Sequence, residues 1–65
     1  MKKEEALARL KKIDNLSADD EAAHCEEDDF HVAVLQEIAD GCDNGQELAT
    51  IALATRDIDF CRWCA

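Results

Sequence analysis

The chain contains no proline and only two glycines, Gly41 and Gly45, in 65 residues. Long stretches can therefore be helical without interruption, because these are the residue types that helix interiors tolerate least. Aromatic residues are scarce, with Phe30, Phe60, Trp63 and no tyrosine. A core made from so few large side chains is small, and a chain this short buries only roughly 60% of its unfolded surface. No apolar run approaches the ~18 residues of a membrane span, and the opening MKKEEALARLKK lacks the apolar centre of a secretory signal. These absences predict a single domain over residues 1–65 that avoids membranes and resides in the cytoplasm.

Basic residues are also few. Seven Lys and Arg stand against sixteen Asp and Glu, giving a formal net charge of -9 and a pI near 4.3. Such a surface repels phosphate backbones, which argues against direct nucleic-acid binding. It favours a protein partner with a basic surface, including one that normally holds nucleic acid.

What is present is helical periodicity. Residues 2–13 place Leu7, Leu10 and Ile13 at helical spacing beside Ala6, with acids early and lysines late, as the helix dipole favours. Ser17 followed by Asp20 reads as a capping signature for a second helix over 18–40, ending at Gly41 in a left-handed cap. Asn44 with Glu47 suggests a third helix over 46–56, with Leu48, Ile51, Ala52 and Thr55 on one side. The tail DIDFCRWCA alternates, sending Ile58, Phe60 and Arg62 one way and Asp59, Cys61 and Trp63 the other. The expected fold is all-α: a compact three-helix domain with a short C-terminal tail packing on the helices.

The second helix has an unusual stripe. Ala23, Phe30, Val34, Leu35 and Ile38 form its apolar sector, yet His24, Glu27 and His31 fall inside the same sector, with Asp28 at its edge. Buried polar groups need partners, so the leading reading is a structural polar cluster of His24, Glu27, Asp28 and His31, covered by Trp63. The alternative is a zinc-binding domain in which Cys61 and Cys64 of the C-x-x-C act with His24 or His31. A third reading is a homodimer that buries the His24–Glu27–His31 stripe between subunits. Catalysis is not expected, since no Gly-rich loop and little room for a pocket accompany these groups, and no cofactor is expected outside the zinc alternative. The four cysteines, Cys25, Cys42, Cys61 and Cys64, read as reduced thiols, at least two of them small buried groups.

Asp19, Asp20, Glu21, Glu26 and Asp29 lie mostly away from the apolar sector and form an acidic ridge. Carboxylates spaced along a rigid helix can imitate phosphates, which makes this ridge the candidate binding surface. The element Ala23-His24-x-Glu26-x-Asp28, with the ending that contains Trp63 and Ala65, resembles small uncharacterised acidic proteins encoded by bacteriophages and prophages. The match covers about residues 20–42 and the last six. The resemblance implies a small accessory protein of the bacterial host cytoplasm, of a class that often binds host or anti-phage defence proteins. It implies no catalytic residue.

The zinc alternative has a direct check. It expects native mass spectrometry to show one zinc per chain, lost together with the fold on chelation. A metal-free mass with the fold intact would rule it out.

Overall fold

A computed structural model describes residues 1–62; Trp63, Cys64 and Ala65 lie outside the described residues. Three α-helices follow in order, α1 (Lys3–Asn15), α2 (Asp20–Ala39) and α3 (Gly45–Leu53), then a single 3-10 turn at Ala54–Asp57. No strand occurs among the described residues.

Helix α1 carries Glu4 and Glu5 in its first turn and Lys12 in its last, matching the dipole. It buries Ala6 and Ile13, with Leu10 packed at the margin. Leu7, expected in the core, is 43% exposed. Its neighbour Ala6 takes the inner position and is fully buried.

The turn between α1 and α2 corrects the expected cap. Leu16 N–H still bonds Lys12 and Ile13 carbonyls, Ser17 N–H bonds Asp14, and Asp19 N–H bonds Leu16. This run of tight turns keeps Ser17 folded against the end of α1. The backbone first becomes extended at Asp19 (φ -116°, ψ 92°), the conformation an N-cap requires, and its Oδ1 accepts from Ala22 N–H at 3.2 Å. Helix α2 therefore begins at Asp20 rather than residue 18.

At its other end, Cys42 N–H bonds the Glu37 carbonyl and Gly41 N–H bonds that of Ile38. This is a Schellman closure, with Gly41 at φ +85° as expected from the sequence. Gly45 has a different task. A Cβ there would lie 3.2 Å from Ile38 Cγ1, so its absence lets α3 begin close against α2. Asn44 occupies the N-cap position of α3 without capping it; its side-chain amide donates instead to the Met1 carbonyl at 2.9 Å. The expected continuous helix to residue 56 tightens into the 3-10 turn after Leu53.

Ile13, Phe30, Val34, Leu48 and Thr55 are fully buried, joined by Ala23, Ile51, Ala52 and Phe60. The tail keeps the alternation read from the sequence: Phe60 is buried, Ile58 half-buried and Asp59 exposed. The C-terminal half of α2 departs from expectation. Val34 is buried, but Leu35 and Ile38 are 65% and 41% exposed. Helix α2 has 20 residues and α3 only 9. At 1.5 Å per residue they run about 30 Å and about 13 Å. Helix α3 lies along the C-terminal half of α2, with Gly45 against Ile38 and Ala52 against His31, so Leu35 and Ile38 are exposed at the flank of that contact.

A Cβ at Gly41 would meet nothing within 4 Å, so any effect of substitution there comes from the backbone alone. Gly41→Ala is expected to cost about 1 kcal/mol in chemical denaturation, the penalty of a left-handed L-residue. Gly41→Asn should recover part of that loss. An unchanged midpoint for Gly41→Ala would contradict the cap assignment.

Candidate functional site

Glu27 sits on the core face of α2 and is 5% exposed. A carboxylate there needs a cation, and Arg62 of the tail supplies it. Arg62 Nε donates to Glu27 Oε1 and Nη2 to Oε2, each at 2.9 Å, a two-pronged pair across 35 positions of sequence. The same guanidinium closes the end of the third helical segment. Nη2 donates to the Thr55 carbonyl at 2.8 Å and reaches that of Ile58 at 3.2 Å. Two protons serve three acceptors at Nη2, so the longer Ile58 contact is a shared one. Nη1 donates to the Phe60 carbonyl at 3.2 Å, and the guanidinium carbon lies 3.8 Å from the centre of the Phe60 ring.

His31 closes the preceding turn. Its Nε2 lies 3.0 Å from the Ala52 carbonyl and 2.9 Å from Thr55 Oγ1, while the Thr55 hydroxyl also donates to Ala52 O at 3.0 Å. A carbonyl only accepts, so the arrangement requires the proton on Nε2. That nitrogen has no lone pair for a metal as arranged. Helix α3 has no basic residue in its last turn. His31 brings a donor to the Ala52 carbonyl of α3, and Arg62 brings one to the Thr55 carbonyl of the turn that follows, which also accepts from Ile58 N–H.

Burial pushes the Glu27 carboxyl up, but hydrogen bonds from Arg62 and Thr55, with the charges of Arg62 and His31, outweigh it and hold the group below its ordinary 4.5. The Glu27 hydrogen bonds hold Arg62 more firmly charged than usual.

The sequence-predicted cluster is thus divided in two. Glu27 and His31 belong to the interior network with Thr55 and Arg62. His24 and Asp28 form a separate surface pair, Nδ1 to Oδ2 at 3.5 Å, with Asp28 largely exposed. Trp63, expected to cover the cluster, lies outside the described residues. Glu27 is covered within its own chain by Arg62, so the stripe presents no open carboxylate for a subunit interface.

Arg62 and Thr55 are the members that sequence reasoning missed. The signal was available: Glu27 faced the core, and Arg62 was the one cation on the inward side of the alternating tail.

For the zinc alternative, Cys64 lies outside the described residues. Among the described residues, no three His, Cys, Asp or Glu side chains converge as a metal would require. Cys61 is half-buried, its amide donating to Asp20 Oδ1 at 3.0 Å. Cys42 is half-buried and Cys25 exposed, so neither is the fully buried thiol expected.

The acidic ridge is also partly committed to the fold. Asp19 caps α2 and Asp20 holds the tail amide. Glu26 pairs with Lys12 at 3.2 Å. Glu21 and Asp29 stand exposed. Helices α2 and α3 together carry eight acids and no Lys or Arg, whereas α1 holds four basic residues against three acids.

An apolar groove of about 280 Å³ runs between α2 and α3. Leu35, Ile38 and Leu53 form its exposed sides over Val34, Ala49 and Ala52. Among the described residues, no helix is long and apolar enough to cross a membrane. No protein-family model matches this sequence, and comparisons with curated proteins and with solved structures return no match.

Arg62→Ala leaves a buried carboxylate without its cation and is expected to cost about 2–3 kcal/mol, less than a fully buried pair because the arginine is partly exposed. Arg62→Lys restores only part of this, since an ammonium lacks the fork. A wild-type midpoint for Arg62→Ala would contradict the network.

The pH dependence has a defined sign. The unfolded state binds more protons than the folded state in the acid range, so the contribution of Glu27 is complete above about pH 4.5 and falls away below it. The gap in thermal midpoint between wild type and Glu27→Gln should therefore narrow as the pH is taken from 7 to 3. A gap independent of pH would show that the carboxylate charge is not what stabilises the pair.

Proposed function

We propose that this chain is a non-catalytic acidic interaction protein of the phage-encoded type. Its acidic surface binds a basic surface of a protein partner in the host cytoplasm and inhibits that partner by occupying a site that otherwise takes nucleic acid. The observation that carries the reading is the segregation of charge: eight acids and no Lys or Arg on α2 and α3. Arg62 is paired with Glu27 and Lys12 with Glu26, one acid to each base, so the net charge of -9 is carried by the remaining groups. The phage-type context rests on the resemblance of the Ala23–Asp28 element and on no further observation.

Glu21 and Asp29 are the ridge acids without a fold-supporting contact, so they separate binding from stability. Replacing both with Lys moves the net charge from -9 to -5. A partner captured from bacterial extract, purified and titrated against the immobilised chain, should bind the Glu21→Lys/Asp29→Lys variant roughly tenfold more weakly or worse. The thermal midpoint should stay close to wild type, and duplex DNA should compete for the partner. Equal affinity for the two forms would overturn the reading, as would a partner without a basic surface.

A further inference from the structure

The groove between α2 and α3 offers a binding surface of a different kind from the ridge. Five large apolar side chains are substantially exposed in the described structure, and three of them, Leu35, Ile38 and Leu53, line this one depression. Its lining is apolar almost throughout, with His31 at one end. At about 280 Å³ it falls just below the range typical of small-molecule pockets, and it is bounded by two helices rather than enclosed. A groove of this form suits a row of side chains from another helix, spaced at i, i+3 or i+4, and i+7.

The charge around it selects among such helices. Both walls belong to the helices that carry no Lys or Arg. On α2, Asp28 lies one turn before Val32 in the row that continues through Leu35, and Asp40 follows the helix at its other end. Among the described residues, Asp28 meets only His24, and the Asp40 carboxylate accepts only from the Gln36 amide. A second copy of the chain would bring another -9 to this surface, whereas a segment with basic flanks brings opposite charge to both ends.

We infer that the α2–α3 groove is a docking site for an amphipathic helix of a partner protein, with its apolar side chains seated on Leu35, Ile38 and Leu53 and its Lys and Arg facing the surrounding carboxylates. The inference rests on the acidic-interaction reading for its basic flanks and on the groove for its apolar anchors.

Three synthetic peptides of about fourteen residues separate these two supports. The first has leucines at helical spacing and lysines elsewhere; the second has the same composition with the leucine spacing scrambled; the third keeps the leucine spacing but replaces lysine with glutamine. Fluorescence anisotropy against the full chain should show the first binding roughly tenfold or more tightly than either of the others. Leu35→Gln and Leu53→Gln, each at an exposed position and each replaced by a good helix former, should weaken the first peptide by a similar factor with the thermal midpoint little changed.

Equal binding of the first two peptides, lost in Glu21→Lys/Asp29→Lys, would overturn the groove and leave the acidic-surface reading standing. Equal binding of the first and third would overturn the basic partner and the acidic-surface reading with it. A chain that sediments as a dimer at micromolar concentration, and as a monomer after Leu35→Gln, would overturn the inference in favour of a second copy.

Discussion

The pairing of Arg62 with Glu27 joins three problems that the chain could not solve separately. A carboxylate on the inner face of α2 would be costly without a cation. The 3-10 turn at Ala54–Asp57 ends with acceptor capacity beyond its own bond from Ile58 N–H to the Thr55 carbonyl. Residues 58–62, which form neither helix nor strand, need something to hold them down. One planar guanidinium meets all three needs, because its donors point in fixed and diverging directions. Two reach Glu27, others reach the carbonyls of Thr55, Ile58 and Phe60, and the ring of Phe60 packs against its face. His31 performs the corresponding task one turn earlier, at Ala52 and Thr55. No buried side-chain nitrogen or oxygen among the described residues is left without a partner. A buried pair of this kind is weak evidence for added stability, since well-packed apolar residues can do as well. Its structural value here is that it specifies where the tail lies.

Much of this fold was legible because it is local. The three helices, the left-handed Gly41 and the alternation of Ile58, Phe60 and Arg62 each follow from a few neighbouring residues. The cap of α2 was not, because Ser17 and Asp19 are both good caps. What decides between them is how far the turns of α1 continue, and they continue to Asp19. The exposure of Leu35 and Ile38 was illegible for another reason. Periodicity defines an apolar sector, but the line along which the neighbouring helix lies decides which of its residues are covered. The candidate site failed at its longest connection: the sequence placed Glu27 inward and Arg62 inward but did not join them, and gave the carboxylate a nearby histidine instead. Of the two carboxylates within reach of His24 on the helix, Asp28 and Glu27, it is Asp28 that it meets, at the surface.

The two ends of α2 consequently have opposite characters. Toward its N-terminus, the core-facing polar groups are closed over by the tail, and the apolar sector is used within the chain. Toward its C-terminus, α3 covers Val34 but leaves Leu35 and Ile38 open on one flank, beside Leu53. A single helix thus carries a finished interior at one end and an unfilled apolar surface at the other. Exposed apolar side chains scattered singly on a small protein call for no explanation. Leu35, Ile38 and Leu53 differ in converging on one depression.

Charge and groove act over different distances, which fixes the part each can play. The carboxylates of α2 and α3 create a field that extends over about 8 Å at physiological ionic strength, so they influence the rate and orientation of encounter more than the lifetime of a complex. Apolar contact operates only once water is displaced, and it governs how slowly the partners separate. Acidic residues alone would attract many basic proteins without distinguishing among them. A small apolar groove alone would offer too little area for tight association. Placed on the same two helices, in the proposed complex the first would supply approach and the second discrimination, because a basic segment would also have to present apolar side chains at helical spacing to remain bound.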